Sequence, residues 1–255
     1  IIYYDWELGH NFTCVFVDER GLTLHLVKPT YQNIFFRVKE EMILNGLINS
    51  SYKGYRGGNP GPTVTNRDGF QGESILNTNT IQSMENNING GGGGGSCNNR
   101  GYAGGGGGNF GAGQTTSTTN NYFSCGSFGQ GGNSLNNDYI NLGGGGGGAS
   151  HGSNYSSESS GRGGHGGGII IIFSNSIIFN NESLISSKGE NGHDYSGGNC
   201  AGGGGGAGGT VQINTNNIIN NYFIDVSGGI GGVGRFAIYG GSGGSGVLNV
   251  NIYGC

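Results

Sequence analysis

Gly166-Gly167-Gly168-Ile169-Ile170-Ile171-Ile172-Phe173 joins a bare glycine run directly to four isoleucines and a phenylalanine. The apolar half is too short for a buried helix. It is rich in β-branched residues and bounded by glycine and by Ser174-Asn175-Ser176, so it reads as a strand. It does not alternate, which predicts cover on both faces. The glycine half has no side chains to bury, and any fold must house both materials side by side.

The same arrangement recurs on either side. One unit holds Ile34-Phe35-Phe36-Arg37-Val38, then Ile43-Leu44-Asn45-Gly46-Leu47-Ile48-Asn49-Ser50-Ser51. A second holds Ile169 to Ile172, Ile177-Ile178-Phe179-Asn180 and Leu184-Ile185-Ser186-Ser187. A third holds Val211-Gln212-Ile213, Ile218-Ile219-Asn220 and Phe223-Ile224-Asp225-Val226-Ser227. Each unit reads as three short apolar strands with polar breaks between them. Val247-Leu248-Asn249-Val250-Asn251-Ile252-Tyr253 opens a fourth. Ile224 and Val226 alternate with Asp225 and Ser227, as Leu248, Val250 and Ile252 do with Asn249 and Asn251, so one face of those strands is apolar. One such coil cannot bury its apolar side alone, whereas stacked coils can. The pattern predicts an all-β fold: a parallel β-solenoid, or β-helix, with packed glycine-rich, polyglycine II-like excursions. Residues 34–255 are read as the solenoid, with a long glycine-rich insertion at about 54–168. Residues 1–33 are read as an N-terminal strand and cap, on the strength of Leu22-Thr23-Leu24-His25-Leu26-Val27.

Glycine supplies 62 of 255 residues and proline 3, so collagen is excluded. A glycine run with three residues per turn points all its amides outward. Neighbouring runs lacking Cβ atoms can approach closely and exchange those hydrogen bonds. One run alone cannot, because glycine loses more backbone entropy on ordering than any other residue. The runs 90–95, 104–108, 143–148 and 202–206 are numerous enough for such a lattice. Mobile surface loops are the competing reading.

Gly202-Gly203-Gly204-Gly205-Gly206-Ala207-Gly208-Gly209-Thr210-Val211-Gln212-Ile213 resembles the glycine-rich repeats of secreted and cell-surface β-solenoid proteins. Lys53-Gly54-Tyr55-Arg56-Gly57-Gly58 and Gly166 to Ile172 share the resemblance, which covers most of residues 34–250. The glycine runs are also similar to the polyglycine bundles of phage tail-fibre adhesins, snow-flea antifreeze protein and the glycine-rich domain of the anaplastic lymphoma kinase receptor. These similarities imply a local structure and not a shared function.

Function classes narrow by exclusion. Eleven basic residues against 15 acidic ones give a net charge of −4 and no electrostatic footprint for nucleic acid. No apolar run approaches the roughly 20 residues of a membrane span. The chain opens at Ile1, which reads as a mature product or a fragment, so the lack of a leader says nothing about export. Charged residues make up only 10% of the chain, leaving few groups to converge on a catalytic centre. Gly164-His165-Gly166 superficially matches the Gly-His-Gly of polygalacturonases, but no two aspartates are adjacent to complete that site. Matches to GxGxxG are forced by composition and lack a βαβ context. Gly189-Glu190-Asn191-Gly192-His193-Asp194 lacks the second glycine of a calcium nonapeptide and does not repeat. Thr115, Thr116, Thr118 and Thr119 cluster once, which is no ice-binding array. No catalytic residue, cofactor or metal is expected.

Cys14, Cys97, Cys125, Cys200 and Cys255 show no metal-ligand spacing. They read as disulfide staples in an oxidising compartment, one left free or paired to another chain, or else as buried thiols. Asn11, Asn49, Asn154 and Asn181 head N-glycosylation sequons, a number that the asparagine content alone would produce. Aromatic residues outside the strands, such as Tyr52, Tyr102, Phe110, Phe128 and Tyr239, either seal the edges of glycine layers or bind sugars and partners. The expectation is a non-enzymatic extracellular or cell-surface structural protein that assembles with itself into a filament or coat. The alternative is an adhesin that binds surface glycans. If the source is eukaryotic, glycosidase treatment should lower the intact mass of the native protein; an unchanged mass would show the sequons empty.

Overall fold

The computed structural model of the chain describes residues 33–62, 68–75, 80–86, 91–95, 101–116, 128–135, 140–152, 160–180, 183–195, 201–234 and 238–254, with 12–17 and 22–24 as backbone strands. Nine strands run β1 (Phe12–Val17), β2 (Leu22–Leu24), β3 (Asn33–Leu44), β4 (Leu47–Asn49), β5 (Ile169–Phe179), β6 (Leu184–Ser186), β7 (Thr210–Ile219), β8 (Phe223–Asp225) and β9 (Val247–Ile252). All pairings between them are parallel. One sheet has the order β1-β3-β5-β7-β9, with β2 also on β3, and a smaller sheet has the order β4-β6-β8. The protein is all-β, without a helix among the described residues.

Each full unit contributes two strands rather than the three read from sequence. The first two apolar runs of each unit merge into one long strand bent at its polar centre. Asn175 drops out of the pairing between Ser174 and Ser176, and Lys39 and Glu40 bulge out opposite it. Hydroxyls hold the bend: Ser174 Oγ donates to the Ser176 carbonyl at 2.7 Å, and Thr215 Oγ1 to the Asn217 carbonyl at 3.0 Å. Ser174 and Thr215 are register partners, so the device repeats from strand to strand.

Parallel register stacks like on like. The columns Ile34–Ile170–Val211, Phe36–Ile172–Ile213, Met42–Ile177, Leu44–Phe179 and Ile48–Ile185 are all buried and form the main apolar core. Burying each such side chain contributes roughly 1.5–3 kcal/mol. Alternation along β3 and β5 accounts for the pattern, because inward residues are buried while Arg37 and Phe173 face out.

After each pair of strands the chain enters glycine-rich segments, and these are ordered chiefly by backbone hydrogen bonds. In the run 143–150, Gly143, Gly146 and Ala149 donate to Gly167, Gly164 and Gly161. Gly144, Gly147 and Ser150 donate to Gly108, Gly105 and Tyr102, and Gly145 and Gly148 to Glu73 and Phe70. Its carbonyls accept in the same rotation from 55–61, 92–95 and 204–207. Each neighbour is met every third residue, so the run turns once per three residues and has six neighbours. The run 201–209 is threefold as well: Gly203, Gly206 and Gly209 donate to His193, Glu190 and Ser187, while Gly205 and Gly208 donate to Gly241 and Gly244. The run 102–108 bonds to both, and the three runs are mutual neighbours.

Between their ends these three interior runs have almost no room for side chains, and the one they carry there is the fully buried Ala207. A Cβ on Gly147 would lie 1.8 Å from the Gly93 carbonyl oxygen, and one on Gly204 would lie 2.0 Å from that of Gly105. Several surrounding segments carry a side chain at every third residue. Lys53, Arg56 and Asn59 follow this rule, as do Ser227, Ile230 and Val233, and Tyr239, Ser242 and Ser245. At the ends of the interior runs remote from the strands, Ala103, Ala149 and Ala201 pack with Ile238 and Phe128 into a second apolar cluster. Tyr102 closes it, its ring 4.9 Å from Phe128. The edge-sealing reading of the aromatics holds for this pair, whereas Tyr52, Phe110 and Tyr239 are exposed.

Crowding at the centre gives a sharp contrast. Gly147→Ala should lower the unfolding free energy by about 1–3 kcal/mol or more. Gly254→Ala, whose Cβ would meet nothing within 4 Å, should leave it unchanged. Equal urea midpoints for the two variants would contradict the close packing.

Candidate interaction surface

The apolar columns are not fully covered on their last described strands. Val211 is fully buried, but its register partner on β9, Leu248, is exposed. The columns through Ile213, Ile177 and Ile185 likewise finish in Val250, Ile218 and Ile224, all only partly buried. Beside them lie Phe223 at 71% exposed, Ile230 at 69%, Tyr253 at 60% and Ile252 at 57%. β9 reaches only Thr215 on β7, so Ile219 and Tyr222 are also left exposed. The outer edges of β8 and β9 pair with no described strand. An uncovered sheet edge over an unfinished core is a template for another chain.

At the opposite end of the larger sheet stands β1. Its six residues Phe12 to Val17 pair with Asn33 to Val38, and the six of β9 pair with Thr210 to Thr215. Through β3, β5 and β7 these are the same columns: Phe12, Asn33, Ile169, Thr210 and Val247 stand in one file. The two terminal edges therefore match in length, direction and column.

The side of the glycine lattice carries the one dense group of charges among the described residues. Arg162 Nη2 lies 3.3 Å from Glu190 Oε1 and donates to His193 Nε2 at 2.8 Å, and Arg162 Nη1 donates to His165 Nε2. Glu190 Oε2 accepts the backbone N–H of His165 at 2.9 Å. Desolvation first, and then the Arg162 charge, hold the His165 pKa below its ordinary value against the pull of Glu190. On an adjoining pair of segments Arg56 forks onto Glu73. Desolvation raises the Glu73 pKa, but the Arg56 hydrogen bonds and charge outweigh it and hold the carboxyl below its usual range. The Gly-His-Gly triplet by itself gives no sign of this cluster. Its signal was spacing: Arg162 and His165, like Glu190 and His193, are three residues apart, one turn of a threefold segment.

The other sequence candidates divide plainly. Asn49 ends β4, half-buried beside the fully buried Ile48, and its Oδ1 accepts the Ser51 N–H at 2.8 Å. Cys14 lies in β1 opposite Phe35. Asn11, Asn154, Asn181, Cys97, Cys125, Cys200 and Cys255 lie outside the described residues. In the calcium-like stretch, Asn191 Oδ1 and Asp194 Oδ1 accept the backbone N–H groups of Ile230 and Val233. Among the described residues no group of three potential ligands gathers to hold a metal ion, and no helix is long and apolar enough to cross a membrane.

No family model, no curated protein and no solved structure matches the chain.

The histidine geometry sets a pH dependence. His165 binds its proton less tightly folded than unfolded, so its contribution is complete above the unfolded value near 6.5 and declines as pH falls through the lower folded value. Glu73, depressed from 4.5, adds a second loss in more acidic solution. Thermal unfolding from pH 7.5 to 5 should show this first decline, and His165→Gln should flatten it. A wild-type profile level across that range would refute the assignment.

Proposed function

We propose that the protein is a non-enzymatic, extracellular structural element that stacks head to tail with copies of itself. In this reading the two parallel sheets are the coils of one solenoid, and the glycine-rich segments are its excursions, packed as polyglycine II. The observation that carries the proposal is the set of apolar columns that are buried on their first two or three strands and finish in the exposed Leu248 and the only partly buried Val250, Ile218 and Ile224. A further coil would bury Leu248, Val250, Ile218 and Ile224 and would pair the open edge of β9. The β1 edge supports the same reading, because it offers six parallel residues in the matching columns. Contact between two different ends is heterologous, so it builds a filament and not a two-fold dimer wherever its rotation does not close a ring.

The non-enzymatic part of the reading rests on how the polar groups are used. Glu73, Glu190, Asn191 and Asp194 bind backbone or side-chain groups of neighbouring segments. The extracellular part rests on the five cysteines as staples in a chain with little side-chain core across its glycine region.

Sedimentation and electron microscopy across a concentration series test the stacking. The wild-type chain should form elongated, unbranched assemblies, and Leu248→Lys with Val250→Lys should leave monomers of unchanged β content. Only monomers for the wild type at high concentration, or filaments undiminished by the double substitution, would overturn the proposal.

A further inference from the structure

The bend in the larger sheet creates a second feature, independent of how the ends behave. The polar centres of β3, β5 and β7 stand in register, and the surface is hollow there. The result is an open groove of about 850 Å³ crossing the strands, lined by Arg37, Lys39, Phe173, Asn175, Asn214, Asn216 and Tyr253 among others. Neighbouring strands lie about 4.8 Å apart, so the groove presents a ladder of rungs at that spacing.

The lining follows an order along the ladder. Arg37, Phe173, Asn214 and Asn251 occupy one column on β3, β5, β7 and β9. Arg37 and Phe173 are exposed. Asn251 Nδ2 donates to Asn214 Oδ1 at 3.0 Å, and the Tyr253 hydroxyl reaches the same oxygen at 3.3 Å, closing one end. Along the bend itself, Asn216 Nδ2 donates to Asn175 Oδ1 at 2.8 Å. That bond fixes both amides and leaves the second Asn216 N–H and the second lone pair of Asn175 Oδ1 for a ligand. Asn214 Nδ2 is buried beneath this surface and has no partner. At the β3 end the lining holds Arg37 and Lys39 and no acid, although Glu40 and Glu41 follow on the strand.

These are the parts a sugar chain requires. Aromatic rings at 41% and 60% exposure, Phe173 and Tyr253, offer apolar faces to the C–H face of a pyranose. Preordered amides match pairs of vicinal hydroxyls, and their mutual hydrogen bond lowers the entropy lost on binding. The two cations favour a carboxylate or sulfate on the sugar nearest β3. An extended apolar peptide would leave the amides unpaired, which disfavours it. We infer that this groove is a binding site for a linear, acidic oligosaccharide lying across the strands, with its anionic sugar over Arg37 and Lys39. The Arg37, Phe173 and Asn175 part of the site stands whether or not copies stack, and the groove lies away from the glycine tips.

Titration calorimetry with defined hexasaccharides tests it, using hexagalacturonate and hyaluronan hexamer against the uncharged cellohexaose. The wild-type chain should bind at least one acidic hexamer saturably and at least tenfold more tightly than cellohexaose. Phe173→Ala and the pair Asn175→Ala with Asn216→Ala should each weaken binding tenfold or more. Arg37→Gln with Lys39→Gln should remove the preference for acidic chains. Tyr239→Ala, exposed on the glycine lattice, should change nothing, and circular dichroism would confirm that every variant retains its sheets. No saturable binding to either acidic hexamer, equal affinity for cellohexaose, or binding unmoved by the groove substitutions would each overturn the inference.

Discussion

Close approach of backbone to backbone, which only glycine permits, sets everything else in this molecule. Gly147 has carbonyl oxygens where a Cβ would stand, and so do Gly146, Gly204 and Gly105. Without side chains, each interior run exchanges its amides and carbonyls with the segments around it, at distances of 2.8–3.1 Å for the donors of 143–150. The entropy lost by so many glycines is large. It is offset only because three runs are enclosed together and nearly every backbone group finds a partner. An isolated run would gain none of this, so the lattice is cooperative by construction.

The aliphatic columns and the lattice then support one another. Glycine segments end where strands begin: 161–168 leads into β5, 201–209 into β7 and 240–246 into β9. Gly168, Thr210 and Val247 carry the hydrogen bonding across that boundary, with Thr210 N–H donating to Gly168 and Val247 N–H to Gly209. The register of the glycine segments therefore fixes the register of the strands, and like side chains fall into the same column. That repetition leaves the apolar residues of the last strands only partly covered. It also aligns the bends into a groove.

The strands were legible because they rest on local pattern. The run Ile169 to Phe173 announces β5, and the alternation of Leu248, Val250 and Ile252 announces β9. The merging of two runs into one bent strand was not legible. Ser174-Asn175-Ser176 has the composition of a turn, yet ladder pairing on both sides and a hydroxyl bond to a carbonyl two residues on keep it within the sheet. Glycine runs carry no side-chain pattern, so nothing in 143–148 says which six segments surround it. The surrounding segments do carry a signal, since Ser227, Ile230 and Val233, or Arg162 and His165, recur every third residue as the outward edge of a threefold helix demands. Half of the charged cluster comes from 162–165 and half from 190–193, and only the lattice brings them together.

Amide hydrogen exchange, followed by mass spectrometry on native protein, reaches the centre of this account directly. Residues 143–150 and 201–209 should be among the slowest-exchanging in the chain, protected as well as β5 and β7 although they contain almost no side chains. Exchange of those two stretches within seconds, while the strands remain protected, would show that the glycine runs are loose tethers and that no lattice holds them.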